Sequence, residues 1–428
     1  MSKKALIITY YWPPAGGPGV QRWLKFVKYL PDFGIEPIVY IPENAHYPIV
    51  DSTLIDEVNP TVKILYQPIR EPYKLAKIFS KKTTQNISSG IIPDEKKQSF
   101  VEEMMLFVRG NFFIPDARVG WVKPSVDYLS KYLQENPVDV LITTGPPHSV
   151  HLIGKQLKAL TGISWIADFR DPWTTIGYHK KLKLTSTASK KHQKMEKEVL
   201  NQADCILVTS PSTKKDFEVI TQRPIQVITN GYDVETVEKQ PLDKKFTIAH
   251  IGSLLSDRNP RVLWKALAEL IKNNPTFKDD FELKLIGKIS PKIIETLEEF
   301  KLTPYVSNMG YISHQQAIIE QRTSQVLLLI EIDSEDTKAI IPGKLFEYMA
   351  AERPILAIGP EKSDAEDLLK QTNTGQYFHY DEKDYIADCI EKMYGEYLSQ
   401  SLKSHGIGLQ YFSRRKLTEK LASVIDKL

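Results

Sequence analysis

The sequence predicts an α/β protein made of two Rossmann-like, doubly wound domains, and three observations carry that reading. Short apolar, β-rich runs alternate with longer stretches of helical period, the pattern of parallel strands covered by helices on both faces. The alternation runs its course, crosses the polar stretch VETVEKQPLDKK, and begins again. At 428 residues the chain also exceeds the roughly 250–300 at which one hydrophobic core stops growing.

The first half opens with the strand ALIITY, a Gly/Pro loop and a helix from about Val20 to Leu30. It continues through EPIVYI, an irregular section, DVLITT, SWIADF, a helix around Lys190 to Leu200, CILVTS and QVITNGYD. The second half repeats the scheme with FTIAHIGS, a helix from Pro260, ELKLIGK, a helix, VSNMGYI, a helix from His314, QVLLLIE, a helix around Leu345 to Ala351, and PILAIG. Domains over 1–237 and 238–410 follow, with the linker near 234–245.

The segment 71–118 interrupts the first domain as an insertion. A polar stretch, SKKTTQNISSGIIPDEKKQ, precedes the apolar and basic FVEEMMLFVRGNFFIPDAR. One reading is a surface excursion with a single docked helix. The other is a foot on an anionic membrane surface, in which Met104, Met105, Leu106, Phe107, Phe112 and Phe113 meet lipid with Lys74, Lys77, Lys81 and Lys82 beside them.

Composition narrows the function. A hydrophobic fraction of 42% and a charged fraction of 25% are those of a globular enzyme, not of a disordered chain or a disulfide scaffold. A net charge of +3 is too small for a protein that binds nucleic acid by neutralising many phosphates. Cys205 and Cys389 stand far apart with no metal-ligand spacing, so reduced thiols and no metal site are expected. The opening MSKKALIITY is too short an apolar run for a signal peptide, and no run approaches the ~20 residues of a membrane span. The expected location is therefore cytoplasmic, with peripheral attachment at the inner face of a membrane if the insertion is a foot.

Four places carry candidate chemistry. After the first strand, Gly16, Gly17 and Gly19 precede Val20, Gln21 and Arg22, a strand, glycine turn and helix start that can hold an anion on backbone N–H groups. A plain tight turn is the alternative; neither a GxGxxG nor a GKS/GKT pattern is present. In HIGSLLSDRNP, Gly252 and Ser253 end a strand, and Arg258 stands beside a helix start with Asn259 as N-cap and Pro260 as first helical residue. A cation at a helix N-terminus is unfavourable without an anion, which makes Arg258 the best diphosphate contact; a salt-bridged surface arginine is the other reading. In IIPGKLFEYMAAERPILAIG, Gly343, Lys344 and Leu345 open a helix and Glu347 follows one turn in. There Lys344 meets phosphate and Glu347 the ribose hydroxyls, or the two form an exposed ion pair. Gly287, Tyr311 and Ile312, at the ends of two further strands, complete the expected nucleotide site. In the first domain, strand ends offer His148 and His151, and Asp168, Arg170 and Asp171. Ligands of open parallel sheets bind at strand carboxyl ends, so Asp171, Asp168, Arg170 and His148 are the candidate catalytic residues. His151 reads better as a packed helix residue, and Asp171 equally as a loop aspartate.

GGPGVQR, TNGYD, HIGSL and KLFEYMAAERPILAI, with the terminal SRRKLTEKLASVIDKL, together resemble the GT-B glycosyltransferases, in particular the large retaining family four. The resemblance spans nearly the whole chain. It implies two domains facing across a cleft, a nucleotide diphosphate sugar bound mainly by the second, and a glycan or lipid-linked acceptor bound by the first. It also implies a last helix, 411–428, that crosses back onto the first domain. Glu347 matches the second glutamate of the family's paired-glutamate motif, while Ala339 stands where the first would be, with Glu335, Asp336 and Lys338 nearby to compensate. Ser253 replaces the usual arginine of the opening strand.

The implied activity is metal-independent transfer of a hexosyl or N-acetylhexosaminyl group in cell-surface polysaccharide synthesis. No cofactor is implied beyond the donor substrate, and the chain lacks the Asp-x-Asp triplet of the other main glycosyltransferase fold. A nucleotide-sugar epimerase and a non-catalytic binding protein of the same fold are the alternatives.

Overall fold

A computed structural model describes residues 2–69, 71, 100–233 and 240–428. Residues 234–239 of the expected linker, and Lys74, Lys77, Lys81 and Lys82 of the expected insertion, lie outside the described residues. Contacts divide the chain into two units, Met1–Thr229 with Arg414–Leu428, and Asn230–Ser413.

In the first unit, parallel strands β1 (Lys3–Thr9), β2 (Ile35–Pro42), β3 (Lys63–Gln67), β4 (Val140–Gly145), β5 (Ser164–Phe169), β6 (Cys205–Val208) and β7 (Ile225–Val227) lie in the order β3-β2-β1-β4-β5-β6-β7. Alternation of side chains sends Leu6 and Ile8 of β1 into one core layer and Ala5 and Ile7 into the other. Both faces of the sheet are therefore buried, which is why its central strands read as unbroken apolar runs. The helix Pro18–Tyr29 covers one face, with proline in its first turn where a missing N–H costs nothing. Leu417, Leu421 and Ile425 of the last helix, Arg414–Asp426, join the same layer as Val20 and Trp23. Lys3 Nζ and Arg414 Nη1 tie that helix down by donating to the carbonyls of Ile425 at 3.1 Å and Gln21 at 3.0 Å.

The second unit holds β8 (Phe246–Ile251), β9 (Phe281–Ile286), β10 (Val306–Gly310), β11 (Val326–Ile330), β12 (Ile355–Ile358) and β13 (Gly375–Phe378), all parallel, in the order β10-β9-β8-β11-β12-β13. The amphipathic helix Arg261–Asn273 buries Leu263, Trp264, Leu267 and Leu270 on one face. In each sheet the strand order reverses at one point, beside β1 and β4 in the first and beside β8 and β11 in the second. Crevices open at the carboxyl ends of the strands at such points.

Three local expectations differ from the structure. The division falls between Thr229 and Asn230, not after 237, because Tyr232 belongs to the second unit: its N–H donates to Phe412 O at 3.1 Å and its hydroxyl to Leu409 O at 3.1 Å. The last helix begins at Arg414, not 411, since residues 409–412 form a 3-10 turn of the second unit. Asn259 is not an N-cap. Its amide is turned sideways, donating to Thr296 Oγ1 at 2.9 Å and accepting from Trp264 Nε1 at 2.8 Å, and Pro260 takes the cap position.

Candidate functional site

At the switch point of the first unit, Gly145 ends β4 and Pro146, Pro147 and His148 lead into the helix Ser149–Thr161. The N-terminus of that helix is held by Asp116, whose two oxygens accept from the N–H and hydroxyl of Ser149, each at 2.8 Å. His148 is thereby free for other work. It is 5% exposed, stacks on Trp173 at 5.1 Å with the rings 3° from parallel, and neither ring nitrogen has a partner among the described residues. Burial holds its pKa well below the usual histidine value, so the ring is neutral at physiological pH.

His148 lines a cavity of about 320 Å³ shared with Tyr11, Arg118, Asp171, Trp173 and His179. Asp171 makes no side-chain hydrogen bond among the described residues, and burial raises its pKa although Arg170 opposes the shift. His179 is likewise kept neutral by burial, its pKa lowered to about 4. Arg118 is neutralised by Glu71, 3.3 Å away. The cavity thus presents the Asp171 carboxyl and two neutral imidazoles, with Arg109 and Asp116 also in its wall, a set able to hydrogen-bond hydroxyl groups.

Asp168 and Arg170, expected beside Asp171, face elsewhere. Asp168 is fully buried, and its carboxylate accepts from Arg22 Nη2 at 2.9 Å, Trp23 Nε1 at 2.7 Å and Thr144 Oγ1 at 2.9 Å. Every lone pair is spoken for, and Arg22 chiefly offsets the desolvation, so the pKa is lowered and the group is a fixed structural anion. Arg170 donates to the carbonyls of Gly145 and Pro146 and lies over Gly19, where an added Cβ would sit 1.6 Å from its Nη1. Gly19 is needed for that close approach. Gly17 takes φ 100°, a glycine conformation, at the N-cap, and the Gly16 N–H is spent on Ile49 O at 3.0 Å. The turn is therefore partly filled by the protein's own arginine. His151 is a core residue, stacked on Phe169 at 4.4 Å and bonded to Thr143.

At the switch point of the second unit, three strand ends approach closely. Gly252 N–H donates to Ile286 O at 2.8 Å and Gly287 N–H to Gly310 O at 2.7 Å. Gly287 has φ 118°, and a Cβ there would lie 2.5 Å from Gly252 O, so only glycine fits. Lys344, near the start of the helix Gly343–Ala350, reaches back toward Gly252. Tyr348, one turn on, fixes that helix to β8 by accepting from Ile251 N–H at 2.9 Å. Arg258 arrives from the loop after β8, its Nη1 3.5 Å from Ser253 O and its Nη2 3.7 Å from Glu331 at the end of β11. The anion beside Arg258 is thus Glu331, a residue that no local motif singles out. Lys344 titrates at about 8, because burial disfavours its charge more than Glu331 restores it. His250 is buried and neutral, donating through Nδ1 to Leu328 O.

The other expected nucleotide contacts separate. Glu347 accepts from Gln321 Nε2 at 3.0 Å, a hydrogen bond rather than an exposed pair with Lys344. Tyr311 is 89% exposed, and Ile312 packs beside the core. Leu345 is a correction: its side chain is wholly buried and its N–H is used on Pro342 O at 3.0 Å. Lys338 pairs with Glu335 at 2.6 Å on the surface, so neither is committed to replacing the motif glutamate at Ala339.

Residues 91–236 match the family model of Glycosyltransferase Family 4. No curated protein sequence matches the chain significantly. Among solved structures, the chain is similar to sucrose-phosphate synthase from Thermosynechococcus elongatus, at 14% identity and TM-score 0.61 over 99% of this chain and 98% of that one. It is similar to Anabaena Alr3699/HepE in complex with UDP and glucose, at 13% identity and TM-score 0.61 over the full length of both. It also resembles a protein described as a UDP-N-acetylglucosamine 2-epimerase from Listeria monocytogenes, at 10% identity and TM-score 0.58 over 100% of this chain and 96% of that one. The chain therefore has the GT-B fold of these structures, and its match to the Glycosyltransferase Family 4 model lies over residues 91–236.

Proposed function

We propose that the protein transfers a hexosyl or N-acetylhexosaminyl group, with retention, from a nucleoside-diphosphate sugar to a hydroxyl of a glycan or lipid-linked acceptor in cell-surface polysaccharide synthesis. The observation that carries the reading is the convergence of Arg258 and Lys344 on the glycine-lined switch point of the second unit. Two fixed cations there balance the charge that grows on a departing diphosphate, where preorganised charge lowers a barrier most. They fill the role a divalent ion fills elsewhere, so turnover is expected to persist in EDTA. Binding of UDP by the HepE neighbour supports a nucleotide donor.

The cavity of the first unit takes the acceptor or the donor sugar. Asp171 accepts from the attacking hydroxyl, and its raised pKa brings it nearer the operating range of a general base. His148 positions a hydroxyl through its unpartnered nitrogens. Among the described residues no helix is long and apolar enough to cross a membrane. On the helix Phe100–Phe112, Leu106 docks on Leu182, while Met104, Phe107, Val108 and Phe112 are exposed. Peripheral attachment at the inner membrane face through these side chains is part of the proposal, and sedimentation with anionic vesicles tests it.

Incubation with a panel of nucleotide sugars, with and without acceptors, is the deciding experiment. Transfer or slow hydrolysis supports the reading. Interconversion of the sugar without acceptor means an epimerase, the alternative that the Listeria neighbour favours. Binding without any turnover means a non-catalytic protein.

A further inference from the structure

Glu331 follows directly on β11, is 5% exposed, and feels two cations. Arg258 Nη2 is 3.7 Å from its Oε2, and Lys344 acts on it from the start of the helix Gly343–Ala350. The carboxylate is only half engaged. Its Oε1 has no partner among the described residues, and neither does Arg258 Nε. Burial alone would neutralise such a group and pushes its pKa up; the two cations oppose that shift. A diphosphate entering the site needs the same two cations. Once they turn to phosphate, an ionised Glu331 would be a buried anion with no compensation beside a second anion, the arrangement proteins avoid by protonation.

We propose that Glu331 is a proton-coupled counter-charge: a bound nucleoside diphosphate takes over Arg258 and Lys344, and the displaced carboxylate takes up one proton from solvent. The new O–H bond forms on Glu331 and no bond of the ligand breaks. The inference rests on the diphosphate reading of the second unit and adds a positioning residue to it. Until ligand arrives, Glu331 keeps the two cations from repelling each other apart; afterwards its O–H is a donor inside the site.

The groups facing this cluster are few. Lys344 also feels Glu347 from its own helix, His250 looks onto Lys344 and Arg258 from β8, and Tyr348, Tyr377 and Tyr380 feel Glu331, the last two with Asp333. His250 is held neutral and the three tyrosines are pushed up by burial, so none of these four changes charge near neutral pH.

The test is calorimetric titration of the full chain with UDP, CDP, GDP, ADP and dTDP in non-phosphate buffers of low and high ionisation heat, which counts the protons exchanged. The titrations are run at about pH 6.5, where Lys344 keeps its proton. Wild type should take up about one proton more than Glu331→Gln. The glutamine variant should bind as tightly or more tightly, since a competing anion is gone. Lys344→Arg, whose cation cannot deprotonate, should keep the wild-type uptake. Equal uptake in wild type and Glu331→Gln, or lost binding in a folded Glu331→Gln, overturns the inference while leaving the diphosphate reading intact. Failure of every diphosphate to bind wild type overturns that reading and the inference with it. Should Glu331→Gln not fold, the affinity of Lys344→Arg for UDP-glucose, in which neither the diphosphate nor the side chain at 344 titrates here, decides. It must be tighter at about pH 6 than at about pH 7.5, and equal affinity overturns the proposal.

Discussion

Asp168→Ala should cost stability, not just rate. Asp168 and Arg22 have side chains 0% and 1% exposed, and the carboxylate accepts four hydrogen bonds, two from Arg22 and one each from Trp23 and Thr144. Removing it leaves the Arg22 guanidinium buried without its anion, with Thr229 O at 2.9 Å and the Phe26 ring at 5.0 Å as its remaining partners among the described residues. Breaking a buried pair from one side typically costs about 3–5 kcal/mol. At ~2–4 °C per kcal/mol for a unit of this size, melting of the first unit should fall by roughly 6–20 °C. Because the folded-state pKa is depressed, this stabilisation is complete above the ordinary carboxylate range and fades only as pH drops below about 4. The assay is thermal unfolding by circular dichroism and calorimetry near pH 7, with Arg22→Met/Asp168→Leu as control. That double variant removes both charges and should recover much of the loss. A loss under about 1 kcal/mol for Asp168→Ala, together with abolished turnover, would return Asp168 to the catalytic residues and refute its structural role.

Three further outcomes are expected. Affinity for UDP-glucose should fall as pH rises through about 8, where Lys344 loses its proton, and Lys344→Arg should flatten that limb in a titration series. Gly287→Ala should destabilise the second unit by roughly 1–3 kcal/mol in chemical denaturation, since the new Cβ meets Gly252 O at 2.5 Å at a φ of 118°. Asp171→Asn should lower kcat about 100-fold or more while nucleotide affinity stays within about two-fold, measured by product formation and by calorimetry; a matching loss of nucleotide affinity would remove Asp171 from the acceptor side.

What the sequence disclosed follows from where burial is symmetrical. β1, β4, β8 and β11 lie at sheet centres, are apolar on both faces, and stand out as runs. β3 and β13 are edge strands; KILYQ buries only Leu65 and GQYF is at most half-buried, so neither leaves an apolar run to read. Site residues behaved differently. The strand-end rule located Asp168, Arg170 and Asp171 together, yet it is silent on which of three neighbours turns inward. That choice was made by Arg22 and Trp23, some 145 residues away on another helix. Glu331 closes the run QVLLLIE and looks like an ordinary strand end; its meaning appears only when the loop carrying Arg258 is folded against it. His148 was visible as a candidate, but its unpartnered nitrogens depend on Asp116 having taken over the helix N-terminus.

One titration tests the diphosphate site of the second unit: UDP and uridine against wild type, Arg258→Ala and Lys344→Ala. Each substitution should weaken UDP by about 10-fold or more, the worth of one charged hydrogen bond, and leave uridine nearly unchanged. Equal losses for UDP and uridine, or none for either, would contradict a diphosphate held by these two side chains.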